Sequence, residues 1–138
     1  MEENWAEQRR KNAALQAERL RERDAAESAQ AAEYLKKFVA AARREGIEPE
    51  PLLVKAKDGK HRAKTPLNGW YLKADQSVAV DEKGDFYILI GPLTLRERLT
   101  GVKPTSSAPP LILGKGGRDG EQIDLTESLS ARIPSWRD

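Results

Sequence analysis

The chain has 138 residues, a length that fits one domain, and it carries 24 basic and 22 acidic side chains. A net charge of +2 is too small to indicate nucleic-acid binding by itself. The absence of cysteine excludes disulfides, zinc–thiolate sites and thiol catalysis. Because only 38% of the residues are hydrophobic and 33% are charged, we expect part of the chain to lie outside the core.

No stretch has the composition of an export signal or a membrane span. Residues 1–12 lack the apolar segment of a secretory signal peptide. Apolar runs stay well below the ~20 residues that span a bilayer. We therefore expect a cytoplasmic protein that makes no membrane contact.

Residues 3–46 are predicted to form one long helix. Ala, Glu, Arg, Gln, Leu and Lys, which are good helix formers, dominate this stretch, and no Gly or Pro precedes Gly46. Gly46 suits the position that follows a helix, and Pro49 prevents the helix from continuing. At about 1.5 Å per residue the helix would span ~66 Å. That is roughly twice the ~30 Å diameter expected of a globule formed by the rest of the chain.

The two halves of this helix differ in character. Residues 29–42 carry an apolar stripe at the spacing of a helix packed on a domain, formed by Ala31, Leu35, Phe38, Val39 and Ala42. Residues 2–28 are rich in charge and alanine, and their large apolar side chains are Trp5, Leu15 and Leu20. We therefore expect residues 1–29 to project from the domain as a helical or partly disordered extension.

Three states of this extension fit the sequence. It forms a coiled coil with a second copy, it is a frayed arm, or it is a helix ordered by a different partner. The heptad pattern is poor because no large apolar residue follows Leu20 at a core position until Leu35. In either bound state, Trp5, Leu15 and Leu20 are the expected protein-contact residues.

A basic hairpin is predicted after the helix. Leu52, Leu53 and Val54 suit a strand, and Asp58-Gly59 suits a tight turn. Asp58 is the one anion in residues 55–64, which have a net charge of +4. The cations of this segment are Lys55, Lys57, Lys60, Arg62 and Lys64.

Three uses of the basic hairpin stay open. Clustered cations bind nucleic-acid phosphates with release of counterions, and the nearby Trp70 and Tyr71 would offer stacking platforms, although core positions suit these aromatics better. The same cations would fit an acidic protein surface. The third alternative is a solvated hairpin whose charges keep an edge strand from pairing with other chains. By contrast, residues 75–85 have a net charge of −3, so we expect a basic end and an acidic end of the domain.

Residues 70–90 are predicted to form the centre of the fold. Runs of aromatic and branched residues indicate an antiparallel meander with strands over 70–74, 77–81 and 85–90. Turns are expected at Thr65-Pro66, Asn68-Gly69 and Asp81–Gly84. Trp70 and Phe86 are expected to begin strands and, by the alternation of side chains, to share one core. They should pack there on Leu35 and Phe38, and Ile88 and Ile90 should lie on the same side as Phe86.

The last third is predicted to contain two short helices. Thr94 and Glu97 have the spacing of a capping box that opens a helix through Leu99, and residues 124–133 form the second helix. A glycine-rich loop over residues 114–120 matches neither standard phosphate-binding pattern, yet its middle offers backbone amides and cations for weak anion binding. These anion candidates are Lys115, Gly116, Gly117 and Arg118.

No catalytic or metal site is predicted. His61 is the only histidine, and the GxSxG and HExxH patterns do not occur. Asp81, Glu82 and Asp85 match no EF-hand spacing. We therefore expect no enzymatic activity, no cofactor and no metal.

One wider pattern resembles a known family. Its elements are Glu50-Pro51-Leu52, Gly69-Trp70-Tyr71-Leu72, Val80, Gly84-Asp85-Phe86-Tyr87 and Gly116-Gly117-Arg118-Asp119-Gly120. This pattern is similar to that of a family of small uncharacterised actinobacterial proteins over about residues 30–133. The resemblance implies that 30–133 is the folded unit, and it implies no activity, ligand or catalytic residue.

Together these patterns predict an α+β protein in which a long N-terminal helix precedes a small antiparallel β-meander domain with two short helices. The predicted divisions are an extension over 1–29, a domain over 30–133 and a tail over 134–138. The first functional hypothesis is a non-catalytic module whose extension engages a protein partner or its own copy. The alternative is an accessory nucleic-acid or ribosome-binding protein that contacts RNA or DNA through residues 55–64.

Overall fold

A computed structural model describes residues 2–114 and 122–138 and confirms the α+β class. A long N-terminal helix precedes a four-stranded antiparallel sheet and, within the described residues, two short helices. No helix in the described part of the chain is long and apolar enough to cross a membrane. The elements are α1 (Glu2–Arg44), β1 (Glu50–Lys55), β2 (Arg62–Tyr71), β3 (Val78–Asp81), β4 (Phe86–Ile88), α2 (Leu95–Thr100), β5 (Ile112–Leu113), β6 (Ile123–Asp124) and α3 (Leu125–Arg132).

Helix α1 ends as its sequence predicts. Gly46 has φ +73°, a conformation that a residue without Cβ adopts at little cost. The Gly46 amide donates to the Arg43 carbonyl at 3.2 Å, and the Ile47 amide donates to the Ala42 carbonyl at 2.9 Å. These two bonds form a Schellman motif, which satisfies the last carbonyls and turns the chain towards β1.

The sheet curls until its two ends meet. Its strand order is β1-β2-β3-β4, and every neighbouring pair is antiparallel. Beyond β4 the chain runs parallel to the end of β1, where the Lys55 amide donates to the Leu89 carbonyl at 2.7 Å and the Gly91 amide to the Lys55 carbonyl at 3.0 Å. The Leu89 amide also donates to the Ser77 carbonyl at 2.8 Å. The sheet is therefore closed into a small barrel.

The turns predicted at Thr65-Pro66 and Asn68-Gly69 are wrong, because both pairs lie inside β2. The register between β1 and β2 shifts between Pro51 and Leu53, which places a bulge opposite this part of β1. A bulge accommodates Pro66, which has no amide hydrogen for the ladder. The prediction that Trp70 begins a strand is also wrong. Strand β2 already begins at Arg62, so Trp70 lies near its end.

Two side chains explain why turn-type residues occur in β2. The Thr65 hydroxyl donates to the Leu52 carbonyl at 2.7 Å and accepts from the Leu67 amide at 3.1 Å, which bridges the bulge. Gly69 faces β3 so closely that a Cβ there would lie 2.1 Å from the Val80 carbonyl oxygen. Glycine is therefore present for close backbone approach and not for a turn.

The main core lies between the outer face of the sheet and the helices. Trp70 and Phe86 pack in one cluster with Leu35 and Phe38, which confirms the predicted arrangement. The C-terminal helix contributes further buried side chains, Leu125 and Leu129 among them.

A second core, which the sequence analysis did not anticipate, fills the barrel interior. It consists of Leu52, Val54, Tyr71, Ala79, Tyr87 and Leu89.

Ile88 and Ile90 lie on the same side of the sheet as Phe86, as predicted, but the core does not extend over them. Ile88 is 53% exposed and Ile90 is 45% exposed. Leu89 between them points into the barrel, so both isoleucines point outward. Neither belongs to the cluster that α1 and α3 form on Phe86.

The predicted tail over 134–138 contains a core residue. Trp136 is 1% exposed, and its Nε1 donates to the Ser130 hydroxyl at 2.9 Å. Its ring meets the Tyr34 ring edge to face at 5.5 Å between centroids. The folded unit therefore extends past the predicted boundary to at least Trp136.

Candidate interaction surfaces

The first half of α1 is exposed to solvent. Every residue from 4 to 26 is exposed, and the first fully buried side chain is Ala31. In the described part of the chain, the first hydrogen bond between the helix and the domain is at Glu27, whose carboxylate accepts from the Leu111 amide at 3.1 Å. We call residues 4–26 the arm.

The three predicted contact residues lie on the arm and face solvent. Trp5 is 65% exposed, Leu15 45% and Leu20 55%. At about 100° per residue, Leu20 lies about 60° to one side of Trp5 and Leu15 about 80° to the other. Such a spread is too wide for the narrow seam of a two-stranded coiled coil. Arg9 stacks on Trp5, with its guanidinium carbon 4.6 Å from the ring centroid.

The turn of the basic hairpin is organised by Asp58. Its Oδ1 accepts from the Lys60 amide at 2.8 Å and from the His61 amide at 3.2 Å, and its Oδ2 bonds to His61 Nδ1 at 2.8 Å. These bonds lower the pKa of Asp58 to about 2. The bond from the Lys60 amide contributes most to this shift, and the bond to the His61 side chain contributes next. The carboxylate holds the turn and leaves the neighbouring cations to solvent.

The predicted cations divide into two sets. Lys57, Lys60, Arg62 and Lys64 are exposed. Lys55 is half-buried, and its Nζ donates to the Asp75 carbonyl at 3.0 Å. The predicted separation into a basic and an acidic end is therefore wrong for Asp75, which lies beside Lys55 because the turn after β2 folds back towards β1.

Another acidic residue of the 75–85 segment, Asp81, organises a turn. Buried Asp81 accepts from the Lys83 and Asp85 amides, each at 2.9 Å, through Oδ1. Its Oδ2 accepts from the Tyr87 hydroxyl at 3.3 Å. Burial, with the charge of Asp81 as a second cause, raises the pKa of Tyr87. These contacts fix the turn between β3 and β4.

A mixed apolar and basic surface lies on the outside of the barrel. Lys55 pairs with Arg62 on one side and with Ile90 on the other, so these three side chains form a row across three segments. Leu53 pairs with Lys64, two residues along each strand, and Ile88 precedes Ile90 by the same interval. We call the six residues Leu53, Lys55, Arg62, Lys64, Ile88 and Ile90 the strand face.

A shallow groove of about 420 Å³ borders the strand face at Lys64. Lys103 lines the same groove, because the Val102 amide donates to the Lys64 carbonyl at 2.8 Å. Sequence reasoning missed Lys103, since 39 positions separate it from Lys64 and no local pattern joins them. The hydroxyl of Thr65 in this groove is already bonded to β1, and that of Thr100 to the Arg96 carbonyl.

The aromatic residues beside the hairpin lie in the cores, as favoured from the sequence. Trp70 belongs to the helix-side core, and its Nε1 donates to the Ile47 carbonyl at 3.1 Å. Tyr71 fills the barrel, and its hydroxyl accepts from the Leu53 amide at 2.9 Å. Neither ring is a platform on which a base could stack.

Two further kinds of site, an anion site and a metal site, were considered in the sequence. The weak anion site at Lys115, Gly116, Gly117 and Arg118 lies outside the described residues. Within residues 2–114 and 122–138, no group of three or more His, Cys, Asp or Glu side chains is placed to hold a metal ion.

Comparison of the chain with protein-family models, with curated proteins and with solved structures finds no match. The resemblance to the actinobacterial family over 30–133 therefore stays a prediction. Function has to be argued from the arm and the strand face themselves.

Proposed function

We propose that this chain is a non-catalytic interaction module whose arm engages a protein partner or a second copy of the chain. The observation that carries this proposal is the exposure of every residue from 4 to 26 in a helix that continues directly into the core. An arm of this length extends ~35 Å at about 1.5 Å per residue, beyond the reach of the domain's own surface.

Helix energetics support a binding role for the arm. An isolated helix is marginal in water, because most helical stability in proteins comes from packing one face on other elements. Among the residues that the structure describes, nothing packs on the arm, yet it carries a tryptophan and two leucines in solvent. Large aromatic side chains are the commonest anchors of protein interfaces. A bound partner would bury these residues and stabilise the helix.

The proposal is tested on the full chain with Trp5, Leu15 and Leu20 all changed to Ala. Mass is measured by analytical ultracentrifugation over a range of concentrations, and partner recovery by affinity capture. We expect the triple variant to lose self-association or a captured protein that the parent chain retains. The control changes Leu95 and Leu99 of α2, which are also strongly exposed, to Ala. Equal behaviour of parent and triple variant in both measurements would refute the proposal.

A second candidate is an accessory nucleic-acid or ribosome-binding protein. It is favoured by the exposure of Lys57, Lys60, Arg62 and Lys64 on one hairpin, with Lys103 beside Lys64. Because the nearby aromatics are buried, such binding would consist of phosphate contacts and would fall steeply with salt.

Electrophoretic mobility shifts at low and high salt test this candidate. Changing Lys57, Lys60 and Arg62 to Glu should abolish a shift of RNA or DNA, whereas changing the exposed Lys37, Lys83 and Arg98 to Glu should reduce it far less. A shift that survives the hairpin variant would remove the hairpin from the interface.

A further inference from the structure

Within the described residues, the strand face is a part of the barrel's outer surface that α1 and α3 do not cover. Helices α1 and α3 pack on the outer side chains of β3 and of the neighbouring ends of β2 and β4. Farther around the barrel, the six side chains of the strand face are exposed or half-buried. Arg62, Lys64, Ile88 and Ile90 are exposed, and Leu53 and Lys55 are half-buried.

The two sides of the strand face differ chemically. Ile88 and Ile90 lie on one side, Arg62 and Lys64 on the other, and Leu53 and Lys55 on the strand between them. Adjacent strands are about 5 Å apart, so a single bound segment about 10 Å wide would meet isoleucines along one edge and cations along the other. Exposed aliphatic residues beside clustered cations are typical of a surface for a partner with the matching pattern.

We infer that the strand face is a docking site for an acidic segment of another protein, one that carries aliphatic side chains beside its Asp or Glu residues. Charge complementarity favours an acidic partner, because the six residues include three cations and no anion. The carboxylates of the segment would pair with Arg62 and Lys64. Its aliphatic side chains would cover Ile88 and Ile90.

At Lys55, the backbone of β1 is not free for one common way of binding a peptide. Strand addition needs an unpaired sheet edge. Strand β1 pairs with β2 along one side, and Lys55 bonds to Leu89 and Gly91 along the other. Recognition at this face therefore depends on side chains, so substitutions of these side chains test it directly.

Nucleic acid fits the strand face less well than an acidic protein segment. Phosphates would pair with Arg62 and Lys64 but would leave Ile88 and Ile90 uncovered. Base stacking, which supplies much of the affinity for single strands, needs exposed aromatic rings. Trp70 and Tyr71 are both buried.

The experiment selects peptides from a phage-displayed random library against the full chain. We expect enrichment of sequences that combine Asp or Glu with Ile, Leu or Val. A synthetic peptide with the most enriched sequence is then titrated against the chain by fluorescence anisotropy. Its affinity should fall at least about tenfold in Ile88→Ser/Ile90→Ser, through lost apolar burial. It should fall by a similar factor in Arg62→Glu/Lys64→Glu, through charge reversal.

Two control variants match these changes elsewhere on the surface. Leu95→Ser/Leu99→Ser removes two exposed leucines from α2, and Lys37→Glu/Lys83→Glu reverses two exposed cations. Both should change the affinity by less than about twofold. Thermal melts establish that each variant is folded, and the two strand-face variants test the same site independently.

Five results would overturn the inference. Four come from binding measurements: a library that enriches nothing, enriched peptides without acidic and aliphatic residues, binding that survives both strand-face variants, and a salt-sensitive RNA complex lost in Arg62→Glu/Lys64→Glu but retained in Ile88→Ser/Ile90→Ser. The last would assign the face to nucleic acid. Concentration-dependent mass that disappears in Ile88→Ser/Ile90→Ser would likewise overturn it by making the face a contact between copies.

Discussion

The two halves of α1 belong to one continuous helix but have opposite environments. Leu35 and Phe38 are buried against the sheet, whereas Leu20 is 55% exposed and Trp5 65% exposed. Residue type alone does not separate the halves, since both contain alanine, leucine and an aromatic. The environments differ because the domain packs on the helix only from Glu27 onward. The contrast predicts that stability is confined to the covered half and that binding belongs to the free half.

The largest expected effect compares two aromatic residues across this division. Phe86→Ala removes a buried ring that packs in the same core as Leu35 and Phe38, and such truncations cost ~3–5 kcal/mol. Because a domain of this size is stable by ~5–15 kcal/mol, the variant should unfold or nearly unfold. Trp5→Ala should leave the melting temperature of the domain almost unchanged. Thermal melts decide, and equal small losses would mean that the helix-side core is not the main source of stability.

A sharper comparison uses the same substitution twice in one helix. Leu35→Ala leaves a cavity in the core and should reduce the free energy of unfolding by ~2–5 kcal/mol. Leu20→Ala removes an exposed side chain and should stay within ~0.5 kcal/mol. Urea titration followed by tryptophan fluorescence measures both, since Trp70 and Trp136 are buried in the domain. A loss of more than ~1 kcal/mol for Leu20→Ala would show that the arm packs on something within the single chain.

Local patterns were sufficient for the parts of the fold that local chemistry determines. Gly46 and the apolar stripe predicted where α1 ends and which face it buries. Thr94 and Glu97 form the predicted capping box, with Glu97 N to Thr94 Oγ1 at 3.1 Å. The alternation of Trp70 and Leu72 placed both in the correct core. In each case the interacting groups are close in sequence or follow one period.

The features that were missed depend on contacts between distant segments. Barrel closure rests on Lys55 and Leu89, and this closure creates both the interior core and the strand face. Pro66 on its own predicts a turn, because the bulge that accommodates it needs β1 as a partner. Trp136 follows Pro134 with no periodic neighbours, so nothing in its own segment indicated burial.

A smaller effect is expected at the boundary between the two halves of α1. Glu27→Ala removes the acceptor of the Leu111 amide and should cost ~1 kcal/mol, the usual net value of a hydrogen bond. Glu33→Ala is the matched control, because Glu33 is exposed and its ion pair with Lys36 contributes only ~0.2–0.5 kcal/mol. Hydrogen exchange of the Leu111 amide should accelerate in Glu27→Ala alone. Unchanged exchange would place the start of the folded unit closer to Ala31.

The smallest effect is expected at the exposed turn of the basic hairpin, where a clear pKa shift should leave stability nearly unchanged. The pKa of Asp58 is about 2 in the folded chain, below its ordinary value of 3.8, chiefly because its carboxylate accepts from the Lys60 amide. The carboxylate therefore favours the folded hairpin above about pH 4, and this contribution is lost as the pH falls through 2.

Carboxyl-carbon NMR should show Asp58 titrating near pH 2. Because the Asp58 side chain is exposed, solvent screens the interaction, and Asp58→Asn should melt close to the parent at neutral pH. The asparagine oxygen can still accept from the Lys60 amide, so the cations of the strand face should keep their positions and their affinity for an acidic peptide. A large loss of stability in Asp58→Asn would show instead that this turn, which lies outside both cores, stabilises the barrel. Stability would then not be confined to the covered side of the molecule, and the open side would not be free to bind without a cost to the fold.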